Sequence, residues 1–216
     1  MRYKKYFRKA LLKDRNLGIA FLEEVATKKP KFFLEVGVFQ GVTARNVCEL
    51  LHHVNGENFT YIGIDVFSLD NKDTYEGWKN GTNEIIPGTE QNNLLKKFYF
   101  KYILKKEPYS LEAVAHLLKK FKKNIHLIKN NSNEALKKID MSKVDYVFLD
   151  GGHSYNTVKN DLNYSKPVLE NNGTILCDDY SLHFAPGVKK AIDEFVLNNK
   201  LKFEFLLNRF AKIEKK

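Results

Sequence analysis

Short apolar runs alternate with stretches of helical periodicity along most of this chain, and several of the runs end on glycine or aspartate. That alternation constrains the fold more than any other feature. Residues 32–36, 61–65, 125–128, 144–149 and 173–177 read as strands, and near-continuous burial of such runs is the mark of parallel pairing. Helical spacing fills the gaps, clearest at 43–53 and 111–121. Strand and helix in alternation predict an α/β fold, an open doubly wound sheet with right-handed crossovers. Every parallel strand then delivers its C-terminal end to one edge, where such sheets bind ligands. At the end of the chain, 203–207 and 210–213 flank Asn208-Arg209, a connection short enough for an antiparallel hairpin.

The 216 residues fit one domain over 1–216. A helix is expected over 3–27, stopped by Pro30. The 60 positions from Asp65 to Ile125 exceed one crossover helix, so a lid-like insertion is expected at about 66–123. Its middle, 68–90, holds Asp70, Asp73, Tyr75, Trp78, Gly81, Pro87 and Gly88 and reads as a long loop. Apolar residues at 43% and charged residues at 29% exclude a disordered chain. No run reaches the ~18 apolar residues of a membrane span, and the basic start lacks the apolar core of a secretory signal. Cys48 and Cys177 are the only cysteines, which suits a reducing cytoplasm. The net charge of +10 suggests an anionic partner, yet only five residues are arginine, the type favoured for phosphate and base contacts. Scattered lysines read better as a solvated surface. The segment 3–27 and the apolar Phe98-Tyr-Phe100 could serve an interface between copies.

Three constellations carry chemistry. Glu35-Val-Gly37-Val-Phe-Gln-Gly41 closes the first strand: Gly37 permits a sharp turn, and Gly41 would let a ligand approach the backbone without meeting a Cβ. The G-x-x-x-G spacing is not the G-x-G-x-x-G of a dinucleotide site. Asp65, 24 residues beyond Gly41, can accept both hydrogen bonds of a ribose diol; the plainer reading is a turn cap. Finally, Phe-Leu-Asp150-Gly-Gly-His153 and Cys177-Asp178-Asp179 follow neighbouring strands. Three carboxylates meeting in one cleft repel unless protons or a cation intervene, and Mg²⁺ or another hard divalent ion is the natural compensation. His153 could accept a proton from a hydroxyl held there, although surface histidine is an equally ordinary explanation.

Together these segments resemble the class I S-adenosylmethionine-dependent methyltransferases. The closest likeness is to the metal-dependent branch of macrocin O-methyltransferase-like and cephalosporin-hydroxylase-like proteins. The resemblance runs from about residue 32 to 195 and implies a Rossmann-like, mostly parallel sheet with a C-terminal antiparallel hairpin. It implies that Glu35, Gly37 and Gly41 lie along the methionine and ribose of S-adenosylmethionine, and that Asp65 holds the ribose hydroxyls. Asn131 and Ser132 would sit by the adenine, with Asn131 where the family often has aspartate. Asp150 would serve both cofactor and metal, with Asp178 and Asp179 completing the metal ligands and His153 as base. Pro186-Gly187-Val188 fits the family's next helix.

The expected reaction is therefore methyl transfer to a hydroxyl of a small molecule, a sugar or other diol suiting a metal clamp best. Tyr75 and Trp78 of the 68–90 loop could close over the acceptor. Three rivals compete. A nicotinamide-dependent oxidoreductase is disfavoured by the glycine spacing. A nucleic-acid methyltransferase is disfavoured by the few arginines and the lack of an RNA-binding module. A non-catalytic cofactor-binding member is disfavoured by retention of all three acidic residues.

Overall fold

Alternation along the first strand sets the layers. In β1 (Phe32–Val36), Phe33 faces one apolar core while Leu34 and Val36 face the other, so helices must cover both sides of the sheet. The computed structural model describes residues 2–10, 12, 14–68, 94–183 and 185–216. Its strands are β1, β2 (Thr60–Asp65), β3 (Ile125–Lys129), β4 (Tyr146–Leu149), β5 (Thr174–Cys177), β6 (Lys202–Leu206) and β7 (Phe210–Glu214). They form one sheet in the order β3-β2-β1-β4-β5-β7-β6. The first five are parallel; β7 is antiparallel to both β5 and β6. This is the expected doubly wound α/β sheet with its terminal hairpin.

One face carries α1 (Arg15–Lys28) and α2 (Val42–Asn55), where the Phe21 ring lies 4.7 Å from Phe148 and 6.0 Å from Phe210. The other carries α6 (Tyr155–Glu170) and α7 (Pro186–Asn199), which bury Val158, Leu162, Val188 and Ile192 against Val147 and Ile175. The crossovers from β1 to β2 and from β4 to β5 run in opposite directions along the sheet. The order therefore reverses between β1 and β4, and a crevice opens beyond their C-terminal ends. Among the described residues no helix is long and apolar enough to cross a membrane.

Two expectations need correction. The helix foreseen over 3–27 begins only at Arg15, because the Asp14 carboxylate accepts from Asn16 N–H and Leu17 N–H and starts the helix there. The preceding chain is held in non-helical form by side chains of the glycine turn and α2. Asn46 bonds both Lys4 N–H and Lys4 C=O, and Gln40 Oε1 accepts from Lys9 N–H. The helix foreseen over 111–121 is α4 (Leu111–Leu117) with a tighter turn at Lys119–Phe121. Most of the 68–90 loop, including Tyr75 and Trp78, lies outside the described residues. Of the 66–123 insertion, α3 (Leu94–Phe98), a wide turn over Tyr99–Leu104, and α4 are described.

Candidate active site

The crevice is built first from backbone. Gly37 has φ +92°, and a Cβ there would stand 2.0 Å from the carbonyl oxygen of Asp150. Only glycine lets the ends of β1 and β4 pass this closely while Gly37 N–H donates to Ile64 C=O at 2.9 Å. Phe39 and Gly41 also adopt left-handed φ, +50° and +74°. A Cβ at Gly41 would stand 3.0 Å from Val114 on α4. Glycine is needed at 41 for the turn and for helix packing.

Two acids brace this turn. The Asp65 carboxylate accepts from Phe39 N–H and Phe67 N–H, both at 2.7 Å, and burial pushes its pKa up. The turn-capping reading of Asp65 is thus visible, and the backbone N–H groups of Val38 and Val66 also act on the carboxylate to lower its pKa. Glu35 is fully buried; Tyr61 O–H donates to its Oε2 at 2.6 Å while Oε1 has no protein partner. Burial, only partly offset by Tyr61, raises the Glu35 pKa to about 8.

The acidic residues converge as expected. Ligand atoms of Asp150, Asp178 and Asp179 all lie within 4.8 Å of one another. They line a cavity of about 20 Å³ with Gly151, Gly152 and His153, enough for one water-sized occupant. Asp150 Oδ2 is buried without a hydrogen-bond partner, and burial followed by the charges of Asp178 and Asp179 lifts its pKa far above the carboxylate range. Asp179 sits at φ +60° and faces His153, whose Nε2 is 2.7 Å from Asp179 Oδ2. With the shared proton on Nε2, Nδ1 is left as the acceptor.

Arg209 was missed. It had been assigned only to the hairpin connection, but its Nε donates to Asp178 Oδ1, its Nη2 to Asp178 Oδ2 at 2.6 Å, and Nη2 lies 3.0 Å from Asp179 Oδ1. Burial opposes the guanidinium's charge, yet these acids raise its pKa overall. One cation against three carboxylates leaves a formal deficit of two positive charges. An all-oxygen donor set with an orphaned buried oxygen and that deficit fits a hard divalent ion.

The two residues expected by the adenine make local contacts. Asn131 caps α5 (Ser132–Ala135), its Oδ1 accepting from Glu134 N–H at 3.0 Å. Ser132 lies close enough to Asp161 to lower its pKa; Asp161, a second residue not anticipated, is buried on α6 in the wall of the acidic cavity, its Oδ1 without a hydrogen-bond partner. Burial raises Asp161 to about 7, against the lowering effect of Ser132. An acid at an inward position of an amphipathic helix was the available signal.

Comparison with known proteins places this geometry. A family model described as a methyltransferase domain matches residues 34–180. No curated protein matches the chain. Among solved structures, the O-methyltransferase NovP is similar with a TM-score of 0.63 and 17% identity, over 93% of this chain and 81% of that one. The calicheamicin methyltransferase CalS11 gives 0.62 and 16%, over 91% and 76%. The SAH-bound methyltransferase PaMTH1 of Podospora anserina gives 0.57 and 16%, over 95% and 80%. With the matched segment running from β1 through the acidic cluster, the chain belongs to the methyltransferase-domain family and is a class I S-adenosylmethionine-dependent methyltransferase.

Proposed function

We propose that the protein methylates a hydroxyl oxygen of a small molecule, a sugar or other diol, with a divalent cation such as Mg²⁺ held by Asp150, Asp178 and Asp179. The observation that carries this reading is the meeting of those three acids and His153 in one cavity beside the Gly37 turn. NovP is an O-methyltransferase and CalS11 a TDP-rhamnose 3'-O-methyltransferase, which favours oxygen as the acceptor atom. The cofactor supplies an electrophilic methyl and the cation supplies positive charge that favours the ionised hydroxyl.

The chain's own groups do the rest. Glu35, the Gly37–Gly41 turn and Asp65 bound the methionine and ribose positions, and Asn131, Ser132 and Asp150 complete the cofactor's surroundings. His153 accepts the hydroxyl proton at Nδ1, its ring aligned by Asp179. Arg209 holds Asp178 in place and offsets part of the burial that raises its pKa. A separate groove of about 620 Å³ is lined by Tyr180, the residue after Asp179, with Lys189 and Phe205; its size suits a small-molecule acceptor.

The test pairs His153→Gln and Asp150→Asn with a panel of diol acceptors. His153→Gln should bind S-adenosylmethionine as wild type does but lose about 10²-fold in kcat. Asp150→Asn should abolish any dependence of rate on divalent ions. Full turnover by both variants, or wild-type turnover indifferent to chelator, overturns the metal-assisted mechanism.

A further inference from the structure

The 13 residues 94–106 read Leu-Leu-Lys-Lys-Phe-Tyr-Phe-Lys-Tyr-Ile-Leu-Lys-Lys: eight apolar or aromatic side chains, five lysines and no acid. An amphipathic helix normally turns its apolar side inward. This one does the reverse over much of its length. Phe100 is buried, while Leu94 is 82% exposed, Leu95 71%, Ile103 64%, Tyr102 57% and Phe98 55%. Leu94, Phe98 and Tyr102 stand four apart and form one row; Lys97, Lys101 and Lys105 form the adjacent row, all exposed. The wide turn over Tyr99–Leu104 keeps Ile103 near Phe98, five residues away. The Phe98 and Tyr102 rings lie 5.1 Å apart.

The N-terminal segment extends the patch. Exposed Phe7 packs edge-on against Tyr99 at 5.8 Å, and Lys96 Nζ lies 5.5 Å over the Phe7 ring. The Lys96 pKa is lowered by burial and then by the nearby charge of Lys5, so like charges already crowd here. Arg8 ties the patch to the cofactor turn. Its guanidinium sits 5.2 Å from the Phe100 ring and donates to the carbonyls of Gln40, Pro108 and Ala113.

We propose that the face formed by Leu94, Phe98, Tyr102 and Ile103 with Lys97 and Lys101 docks the enzyme on an anionic lipid bilayer surface. The charge pattern selects this occupant. A second copy would bring five more lysines against these five, and protein interface cores are depleted in lysine. A nucleic acid would answer the lysines but leave Leu94, Leu95 and Ile103 in water. A bilayer interface satisfies both rows: apolar tips enter the acyl boundary, Tyr102 sits at headgroup depth, and lysine stems reach up to phosphates.

The test is sedimentation of the full chain with phosphatidylcholine vesicles, with and without phosphatidylglycerol. Wild type should pellet with the anionic vesicles only, and release at high salt. Lys97→Glu with Lys101→Glu, and separately Phe98→Ser with Ile103→Ser, should each weaken partitioning roughly tenfold or more. Unchanged far-ultraviolet circular dichroism and methyl-donor binding serve as fold controls. Equal binding to neutral vesicles, no binding to either, or wild-type partitioning by both variants overturns the proposal. A dimer that Phe98→Ser dissociates, in a protein indifferent to vesicles, overturns it in favour of a second copy.

Discussion

Arg209 and Asp178 form the most consequential pair at the scale of single residues. Asp178 is 3% exposed and takes two charge-assisted hydrogen bonds from this one guanidinium, beside a third from Asp179 N–H at 2.7 Å. Removing one member of a buried ion pair leaves an uncompensated charge, which costs about 3–5 kcal/mol. Arg209→Gln should therefore lower unfolding free energy by about that amount at neutral pH, measured by urea denaturation. Much of the loss should return in mild acid, where the orphaned carboxylates can bind protons, or on adding a divalent ion that fills the same role. A variant as stable as wild type would mean that the pair is solvent-screened. The acids themselves were legible in the sequence, because Asp150 and Asp178 each follow one of two neighbouring parallel strands and must share an edge. Arg209 was not legible: its reach to Asp178 depends on β7 pairing antiparallel with β5 in one register, Cys177 opposite Ala211. Asp161 was hidden for a similar reason, since its burial depends on how α6 lies against the sheet.

Among the elements, the terminal hairpin places Arg209 and so controls the site from a distance. Leu206 C=O accepts from Arg209 N–H at 3.0 Å within the three-residue connection between β6 and β7, with Leu207 and Asn208, the central residues of that turn, at φ +56° and +52°. Left-handed conformations at both central positions favour Asn-Gly, and leucine is strained there by roughly 1–2 kcal/mol. Leu207 is half exposed, so little packing is lost when it is replaced. Leu207→Asn with Asn208→Gly should raise the melting temperature by several degrees while leaving methyl-donor affinity unchanged; a fall in stability would show that the turn is held by contacts other than its own backbone. Elements with a strong period were readable from the sequence: the five parallel strands, α2 and the hairpin. Residues 2–10 and 12 were not, because Tyr3 and Leu12 bury apolar bulk without helical geometry, the Tyr3 ring packed on Gly18 of α1 with its hydroxyl at Thr43 of α2. Pattern alone cannot separate an amphipathic helix from a strap that buries the same residue types.

Across the whole molecule, two buried acids outside the candidate metal ligands govern how stability responds to pH. Glu35 titrates at about 8 and Asp161 at about 7 in the folded protein, both raised chiefly by burial from ordinary carboxylate values. The folded state therefore binds more protons than the unfolded chain between about pH 4 and the folded pKa values. Stability from this source is full below the unfolded pKa and is lost as pH rises through 7 for Asp161 and 8 for Glu35. The two groups lie on opposite faces of the sheet, Glu35 with Phe33 toward α2 and Asp161 on α6, so their effects should add. Urea midpoints should fall steadily from about pH 5 to pH 8, with the slope of unfolding free energy against denaturant constant. Asp161→Asn should make the decline shallower below about pH 7 and leave it unchanged between 7 and 8, whereas Glu35→Gln should make it shallower up to about pH 8; Asp65 and Asp150, also raised by burial, keep a residual slope in both variants. A midpoint that rises over this range, or that is flat in wild type, would place both carboxylates in contact with water or a cation in solution. The same profile measured with S-adenosylmethionine would then show which of the two the bound cofactor touches.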